Sequence, residues 1–353
     1  MIRPSTAVLL ACALAVMPAT GSAQSNNAAP LQNFSVPDWG RDGATGPAKD
    51  GRPRDPAVAP DGSVFFVGQT GNYIARLDPK TGVFKKFEID SGAHPHTCIV
   101  DAKGMVYYSG NTNGTIGRLD PKTGQVTRWT VGEGIRDPHT MVFDRKGNIW
   151  FTAQGSNGIG YFDVAAGTFK VIKPPVPAGS RRPTTNPYGI ALDSKGRPWI
   201  NLFATNMVAT VDPQTFELKT YPLASDSTLN RRIAITSDDR VYYTDYRRGA
   251  LGRLDPKTGK VDEWPLPGGR ASLPYGMTVD DQDRIWIAET GTQPNKLVGF
   301  DPKSNRVFSY SDIPGTPNTV RYMIFDKKTK MIWFGNDAGT ISKVDVSGIK
   351  TAM

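Results

Sequence analysis

The residues best suited to chemistry in this chain are arginines, histidines and tyrosines that recur at one position of a repeated sequence pattern. One residue comes from each repeat, and the set is Arg54, His96, His139, Tyr188, Arg231, Tyr275 and Arg321. Arginine offers a planar fork of N–H donors that matches a carboxylate, and histidine transfers protons near neutral pH. A tyrosine beside arginines can have a lowered pKa. The set predicts a site for a carboxylate or another anionic group; the alternative is that these side chains line a wet channel and pair with one another.

An internal repeat relates these positions to one another. The segment Ile-Ala-Arg-Leu-Asp-Pro-Lys-Thr-Gly at 74–82 recurs along the chain at spacings of 42 to 49 residues. Its aspartate falls at Asp78, Asp120, Asp163, Asp212, Asp255, Asp301 and Asp345. Seven units of this length are typical of four-stranded propeller blades. The predicted fold is therefore all-β, a seven-bladed β-propeller.

Each unit contains the pattern of four short strands. In the second unit these are 97–100, 105–109, 115–119 and 126–131, separated by turn residues. An aromatic residue recurs in the second strand, at Phe65, Tyr107, Trp150, Trp199, Tyr242, Trp286 and Trp333. We expect these seven side chains to pack between neighbouring blades rather than to contact a ligand. The strands position the set of Arg, His and Tyr residues at the start of the innermost strand, facing a central channel.

The two ends of the repeat array complement each other. The last unit stops soon after Asp345 and lacks a fourth strand, whereas an orphan strand pattern at 31–37 precedes the first unit. The N-terminal strand is therefore predicted to complete the seventh blade, which closes the ring and removes an exposed sheet edge. The predicted propeller domain covers residues 31–353, preceded by a flexible segment at 24–30.

Residues 1–23 have the pattern of a cleaved signal peptide. Arg3 precedes an apolar run over 7–17, and small residues at 21–23 suit a signal peptidase. The run is too short to span a bilayer, so no membrane span is expected. Cleavage before Cys12 as a lipoprotein is the alternative. The expected location is periplasmic or secreted.

Charge and cysteine content limit the choice of partners. The chain has 42 Lys and Arg against 33 Asp and Glu, a net charge of +9, which becomes +8 when Arg3 leaves with the signal peptide. This excess favours an anionic small-molecule or oligosaccharide ligand, and its even spread over the repeats argues against nucleic acid. Cys98 alone remains after cleavage and is expected to be a buried free thiol. A monomer without an organic cofactor is expected.

A second group of residues is predicted to line the same funnel. They end the second strands and lead into the loops on the channel face: Gly68, Gly110, Ala153, Leu202, Asp245, Glu289 and Asn336. A long insertion at 174–187 lies on that face as a rim or lid. Arg54, Tyr188, Arg321 and Asp245 are assigned to substrate binding.

Three segments resemble the repeats of the virginiamycin B lyase (streptogramin lyase) family. They are Pro-His-Thr-Met-Val-Phe-Asp at 138–144, Asn-Ile-Trp-Phe-Thr at 148–152 and Thr-Ile-Gly-Arg-Leu-Asp at 115–120. The resemblance extends from about residue 31 to 346. It implies a magnesium-dependent lyase that opens a cyclic depsipeptide by β-elimination. It also implies catalytic histidines at the channel position of two consecutive late blades, with a glutamate fourteen residues after the second.

The family's residues carry over to this chain only in part. The glutamate is present as Glu289, whereas Arg231 and Tyr275 occupy the two histidine positions. This departure counts against streptogramin cleavage itself. Glu289, with Asp245 through water, is the candidate ligand for Mg²⁺.

The predicted function is that of an exported lyase-like enzyme. β-Elimination removes a proton beside a carboxylate or carbonyl and therefore needs a base and a cation that neutralises the developing enolate. The predicted catalytic residues are His139, His96, Tyr275, Arg231 and Glu289. The substrate is expected to be anionic or ester-bearing, a uronate polysaccharide or a streptogramin-type depsipeptide. The alternative is a non-catalytic propeller that binds a ligand or protein; a lactonase-type hydrolase ranks last because the funnel has few acidic residues.

Overall fold

The computed structural model describes residues 28–40, 51–180, 182–315, 319–337 and 339–351. The predicted signal peptide and residues 24–27 lie outside them. A short 3₁₀ helix spans Gly269–Ser272, and no helix in the described ranges has the length and apolarity to cross a membrane. The strands are β1 (Leu31–Ser35), β2 (Pro53–Val58), β3 (Val64–Gly68), β4 (Tyr73–Leu77), β5 (Phe84–Glu88), β6 (Cys98–Val100), β7 (Val106–Gly110), β8 (Thr115–Leu119), β9 (Val126–Thr130), β10 (Pro138–Phe143), β11 (Ile149–Ala153), β12 (Gly158–Asp163), β13 (Thr168–Ile172), β14 (Pro187–Leu192), β15 (Pro198–Leu202), β16 (Met207–Val211), β17 (Leu218–Pro222), β18 (Asn230–Ile235), β19 (Val241–Asp245), β20 (Ala250–Leu254), β21 (Val261–Pro265), β22 (Pro274–Val279), β23 (Ile285–Glu289), β24 (Asn295–Asp301), β25 (Arg306–Ile313), β26 (Met323–Asp326), β27 (Met331–Asn336) and β28 (Thr340–Asp345).

The strands form seven antiparallel sheets of four, which are the blades of a propeller. Blade one is β2–β5, and blades two to six follow as consecutive groups of four strands. The first strand of each blade contacts the first strand of the next, and β26 contacts β2, so the ring is closed. The predicted seven-bladed all-β propeller is confirmed.

The N-terminal strand completes the seventh blade. β1 pairs with β28 in antiparallel register, with Leu31 opposite Val344 and Ser35 opposite Thr340. Blade seven is therefore β26, β27, β28 and β1. The predicted closure is confirmed, and the physical reason is that β1 covers an otherwise unpaired strand edge.

The hydrophobic core consists of seven clusters, and each lies between two neighbouring blades. Trp150 of blade three, for example, packs with Ile200 and Leu202 of blade four. The seven recurrent aromatic residues of the second strands are each at most 3% exposed. Burial of side chains this large stabilises the fold by roughly 2–3 kcal/mol each relative to exposure. The interfaces between blades thus hold the ring rigid around its channel.

The repeated aspartate shapes the turn between the third and fourth strands. The Asp78 carboxylate accepts the amide N–H of Lys80 at 2.9 Å, and Asp120 accepts that of Lys122 at 2.8 Å. Such a side chain-to-backbone bond favours a tight turn. The repeat is conspicuous in the sequence because most blades need this turn at the same place.

Candidate functional site

A β-bulge at the start of the innermost strands places two consecutive residues of a blade at the channel. In blade three the register shifts between Pro138 and Met141, so that His139 and Thr140 both lie opposite Thr152. Equivalent shifts occur in blades four, five and six, and in blade one the shift falls one residue later, between Arg54 and Ala57. A bulge interrupts the alternation of side chains along a strand. The upper layer is the predicted set of Arg, His and Tyr residues; the lower layer is the residue after each of them, namely Asp55, Thr97, Thr140, Gly189, Arg232, Gly276 and Tyr322.

The residue opposite the bulge fastens one blade to the next. The Thr152 hydroxyl accepts the amide N–H of Thr140 at 3.3 Å and donates to the carbonyl oxygen of Tyr188 at 2.7 Å. The Ser109 hydroxyl donates to the carbonyl oxygen of His139 at 2.9 Å. Because these oxygens belong to upper-layer residues of the next blade, the bonds position the site around the ring.

Four aromatic side chains of the upper layer lie side by side. The ring centroids of His96 and His139 are 3.4 Å apart, and those of His139 and Tyr188 are 4.5 Å apart. The Tyr188 and Tyr275 hydroxyls hydrogen-bond across the channel. All four side chains are at most 5% exposed. The channel therefore holds a buried, continuous row of proton-transferring groups.

Two upper-layer arginines are paired with carboxylates. The Nε of Arg54 donates to Asp55 at 3.1 Å, and its Nη1 donates to the Gln69 side chain at 2.8 Å. Arg321 forms an ion pair with Asp337 at 2.6 Å. The charges of these arginines are partly compensated within the protein.

Arg231 has a different environment, which is aromatic. Its guanidinium carbon lies 4.0 Å from the ring centroid of Tyr246, 4.3 Å from that of Tyr275 and 5.0 Å from that of Phe203. Among the described residues, no carboxylate lies within ion-pair distance of Arg231. Cation–π contacts of this kind hold a guanidinium without neutralising it. Arg231 therefore leaves an uncompensated positive charge beside Tyr275.

The lower layer closes the channel beneath the site. Arg232 crosses the channel, where its Nε donates to the carbonyl oxygen of Arg321 at 2.8 Å and its Nη1 donates to the Thr140 hydroxyl at 3.0 Å. The Asp55 carboxylate lies 3.8 Å from the Arg232 Nη2 and accepts the Thr97 hydroxyl at 2.7 Å. Entry to the upper layer is therefore from the loop face.

Three buried guanidinium nitrogens in the two layers have no hydrogen-bond partner: Arg54 Nη2, Arg231 Nε and Arg232 Nη2. Buried N–H donors are normally satisfied, and leaving one unpaired costs about 1–3 kcal/mol. An anionic group within reach of these donors would satisfy them.

The hydrogen bonds and ion pairs of the two acidic residues predicted to line the funnel are with loop residues and with the outer strand β25. Asp245 accepts the amide of Leu229 at 3.1 Å and pairs with Arg248. Glu289 accepts the amide of Gly268 at 3.0 Å and the Tyr310 hydroxyl at 3.1 Å. The structure thus brings the predicted Arg, His and Tyr residues together and holds these two carboxylates apart from them.

The loop residues that do contact the upper layer stand one position later in the sequence. Gln69 and Asp337 bind Arg54 and Arg321, while Phe203 and Tyr246 pack on Arg231. Sequence reasoning missed them, and it missed the lower layer as well. A signal for the lower layer was present in the sequence as pairs of polar neighbours, Arg54-Asp55, Arg231-Arg232 and Arg321-Tyr322. In a strand with regular alternation only one residue of each pair would face the channel, so the second polar residue points to an irregular strand start.

Burial and neighbouring charge perturb the pKa values of the site. Burial, with the arginine charges added, lowers the pKa of His96 and His139 well below 6.5, so both rings are neutral near pH 7. Burial alone would raise the pKa of Tyr275, but the charges of Arg231, Arg232 and Arg54 outweigh it and lower the value to about 8. Burial raises the pKa of Tyr188.

The residues around Glu289 do not fit a Mg²⁺ site. The two oxygens of Glu289 each accept a hydrogen bond, burial raises its pKa, and Asp245 is held by Arg248. In the described ranges no three His, Cys, Asp or Glu residues converge as metal ligands. Mg²⁺ binds through one or two free carboxylates completed by water, whereas both oxygens of Glu289 are occupied by protein donors and Asp245 is paired with Arg248.

The fold is a seven-bladed β-propeller, and the predicted arginine, histidine and tyrosine side chains converge at its channel. Residues 178–353 match the model of the Virginiamycin B lyase family. The predicted resemblance of the chain to this family is confirmed.

Solved structures agree with this fold. A streptogramin B lyase is 23% identical, with a TM-score of 0.75, and the match covers 90% of this chain and 97% of that one. A catalytically inactive virginiamycin B lyase from Staphylococcus aureus with quinupristin is 20% identical, with a TM-score of 0.77 over 90% and 99% of the two chains. Hydrazine synthase from Kuenenia stuttgartiensis, 14% identical, reaches a TM-score of 0.70 over 87% and 99%. No curated protein matches the chain significantly. Because unlike chemistries share this fold, function has to be argued from the site.

Proposed function

We propose that this protein is a lyase that performs β-elimination on an anionic substrate in the funnel. The observation that carries the proposal is the convergence of unsatisfied guanidinium donors on the hydrogen-bonded pair Tyr188 and Tyr275. A substrate carboxylate would satisfy those donors, and Arg231 supplies a charge that nothing among the described residues compensates. The resemblance to the family supports the reaction class, because members named in solved structures are lyases.

The two tyrosines divide the acid and base roles. Tyr275, with its pKa lowered to about 8, takes the proton from the carbon beside the carboxylate. The electrons of that C–H bond form a carbon–carbon double bond, and the bond from the next carbon to its leaving oxygen breaks. Tyr188, whose raised pKa keeps it protonated, gives its proton to the leaving oxygen. Environments that push two pKa values apart assign base and acid in this way.

The direct hydrogen bond between the tyrosines completes the cycle. After elimination Tyr275 holds the substrate proton and Tyr188 is a phenolate, so transfer of one proton along their hydrogen bond restores both. Arg231 stabilises the enolate charge that develops when the proton leaves. Both proton transfers come from one side of the substrate, which predicts a syn elimination.

The neutral histidines His96 and His139 have a role other than proton transfer in this proposal. His139 lies 4.5 Å from Tyr188, and both histidine pKa values stay well below 6.5. We assign them to binding and to exclusion of water rather than to proton abstraction. No step is assigned to Mg²⁺ or to Glu289, because the residues around Glu289 do not fit the metal.

The substrate class we propose is a uronate polysaccharide, with the depsipeptide as the competing class. A uronate carries the carboxylate beside its acidic C–H bond, which suits the free arginine donors. The test incubates the mature protein with uronate polysaccharides and a streptogramin B and records the ultraviolet absorbance of the new conjugated double bond. Activity on a uronate that is lost in Tyr275→Phe, retained in an Arg306→Gln control and insensitive to chelator supports the proposal. Activity unaffected by Tyr275→Phe refutes the assigned base.

A non-catalytic binding propeller is the second candidate. It is favoured by the burial of the tyrosine hydroxyl pair, since each ring is at most 5% exposed. In that case the unaltered protein would bind a uronate in the funnel without converting it to a product. Tyr275→Phe would weaken that binding.

We also propose that the chain is exported, on the pattern of residues 1–23. Amino-terminal sequencing of the protein from a fractionated cell tests this, and cleavage after residue 23 is the expected result. Recovery of an uncleaved chain in the cytoplasmic fraction would contradict it.

A further inference from the structure

A polar cavity of about 890 Å³ lies on the loop face between blades four and five. Residues 177–180, Arg182 and Asn186 form one wall, and the loops after β15, β17 and β19 form the others. Its size is within the range of small-ligand sites. Its lining includes Ser180, Arg182, Phe203, Asp226, Thr228 and Arg247.

Phe203 connects this cavity to the upper layer of the site. The Phe203 ring lines the cavity, stacks on Tyr188 at 5.5 Å with an interplanar angle of 29° and lies 5.0 Å from the guanidinium of Arg231. A ligand whose carboxylate binds at Arg231 would therefore extend over the face or edge of Phe203 into the cavity.

The lining of the cavity suits an acidic sugar. Arg182 and Arg247 are both exposed at its wall and supply positive charge. The Thr228 hydroxyl is buried, with the residue 1% exposed, and has no hydrogen-bond partner. Arginine beside hydroxyl groups and one aromatic face offers donors for a carboxylate and for sugar hydroxyls together with an apolar surface for the ring.

We infer that this cavity is a second subsite, which binds the next acidic sugar unit of an oligomeric uronate whose reacting unit lies at Tyr275. The inference rests on the proposed function for the identity of the ligand. An apolar cyclic depsipeptide would offer no anionic partner to the two arginines, so the lining of the cavity favours the uronate class. Chain length should therefore matter for binding.

The test measures calorimetric binding of monomeric and tetrameric galacturonate to the mature Tyr275→Phe protein, in which no turnover occurs. Arg182→Gln and Arg247→Gln are each added, and Arg306→Gln is the control because Arg306 is exposed at the outer strand of blade six. Each cavity variant is expected to weaken tetramer binding about fivefold, the scale of an exposed charge contact, and to leave monomer binding unchanged. The control is expected to change neither.

Three results would overturn the subsite. They are tetramer binding that the cavity variants leave unchanged, an equal loss for monomer and tetramer, and no binding of either probe. The elimination assay on the unaltered protein tests the lyase separately. If the cavity variants weaken binding of the tetramer alone but the unaltered protein forms no eliminated product, the subsite stands and the lyase is rejected. If the unaltered protein forms the product but the cavity variants leave tetramer binding unchanged, the lyase stands and the subsite is rejected.

Discussion

Replacing Arg231 by methionine should return Tyr275 to an ordinary tyrosine. The pKa of Tyr275 is lowered to about 8 although burial opposes ionisation, and Arg231 is the foremost of the charges that lower it. Methionine keeps most of the side-chain volume and the contact with Phe203 and Tyr246, but it removes the charge. The substitution therefore isolates the electrostatic contribution.

The size of the effect follows from the geometry. The Arg231 guanidinium lies 4.3 Å from the Tyr275 ring centroid. At an effective dielectric constant of about 20, a unit charge at that distance contributes on the order of 4 kcal/mol. The fall from the usual tyrosine pKa near 10 to about 8 corresponds to roughly 3 kcal/mol. Loss of Arg231 alone is thus sufficient to move the Tyr275 pKa back toward 10.

The assay is an ultraviolet difference titration of tyrosinate. The chain has 12 tyrosines, so the titration of Tyr275 is obtained by subtracting the curve of Tyr275→Phe from that of the unaltered protein. One tyrosine should ionise near pH 8, and this step should be absent from Arg231→Met below about pH 10. The rate of elimination should rise with pH through the same step, because the base acts as a phenolate.

Arg247→Met is the matched control, since Arg247 is exposed and outside the upper layer. It should keep the step near pH 8. A step that persists in Arg231→Met, or that survives in Tyr275→Phe, would refute the electrostatic account of the pair.

Further predictions concern the stability of the scaffold. Thr152→Val removes one hydrogen bond within blade three and one to blade four, and it should lower the free energy of unfolding by about 1–3 kcal/mol in a urea titration. Thr210→Val, whose buried hydroxyl has no partner among the described residues, should be nearly neutral, and equal losses would contradict the role of Thr152. Phe34→Ala should cost about 3 kcal/mol or more because the ring closes blade seven, and an unchanged urea midpoint would show that β1 is dispensable. Because His96 and His139 are neutral in the fold while unfolded histidines gain protons below pH 6.5, stability should fall as the pH drops below that value. A His96→Gln, His139→Gln variant should flatten this part of the pH profile, and an unchanged slope would assign the effect to other groups.

The upper layer was within reach of the sequence because the repeats share one register. Once the turn aspartates, such as Asp78, are aligned, equivalent positions occupy equivalent places in every blade, and the row from His96 to Tyr275 follows directly. The closing strand at 31–35 was predictable for the same reason, since an unpaired edge and an orphan strand pattern complement each other.

The lower layer and the loop contacts were not within reach. Strict alternation places the neighbour of a channel residue on the other side of the sheet, and it is the bulge that brings Arg232 and Asp55 into the channel. The same rule placed Glu289 in the funnel, whereas its contacts are with Gly268 and Tyr310. A register shift of one residue decides which face of the sheet a side chain lies on. Hydrophobic periodicity does not locate such a shift at the end of a strand.

The sequence by itself determined the number of blades, the closure of the ring and which side-chain types meet at its centre, because those depend on patterns that repeat. The tertiary structure alone decided which of these side chains touch. Tyr188 and Tyr275 come from blades four and six and meet because the channel is narrow enough for two phenol rings to span it. Arg231 escapes a carboxylate and lies among aromatic rings because Phe203 and Tyr246 follow the second strands of adjacent blades. Contacts across a ring depend on side-chain length and channel width, which no local pattern encodes.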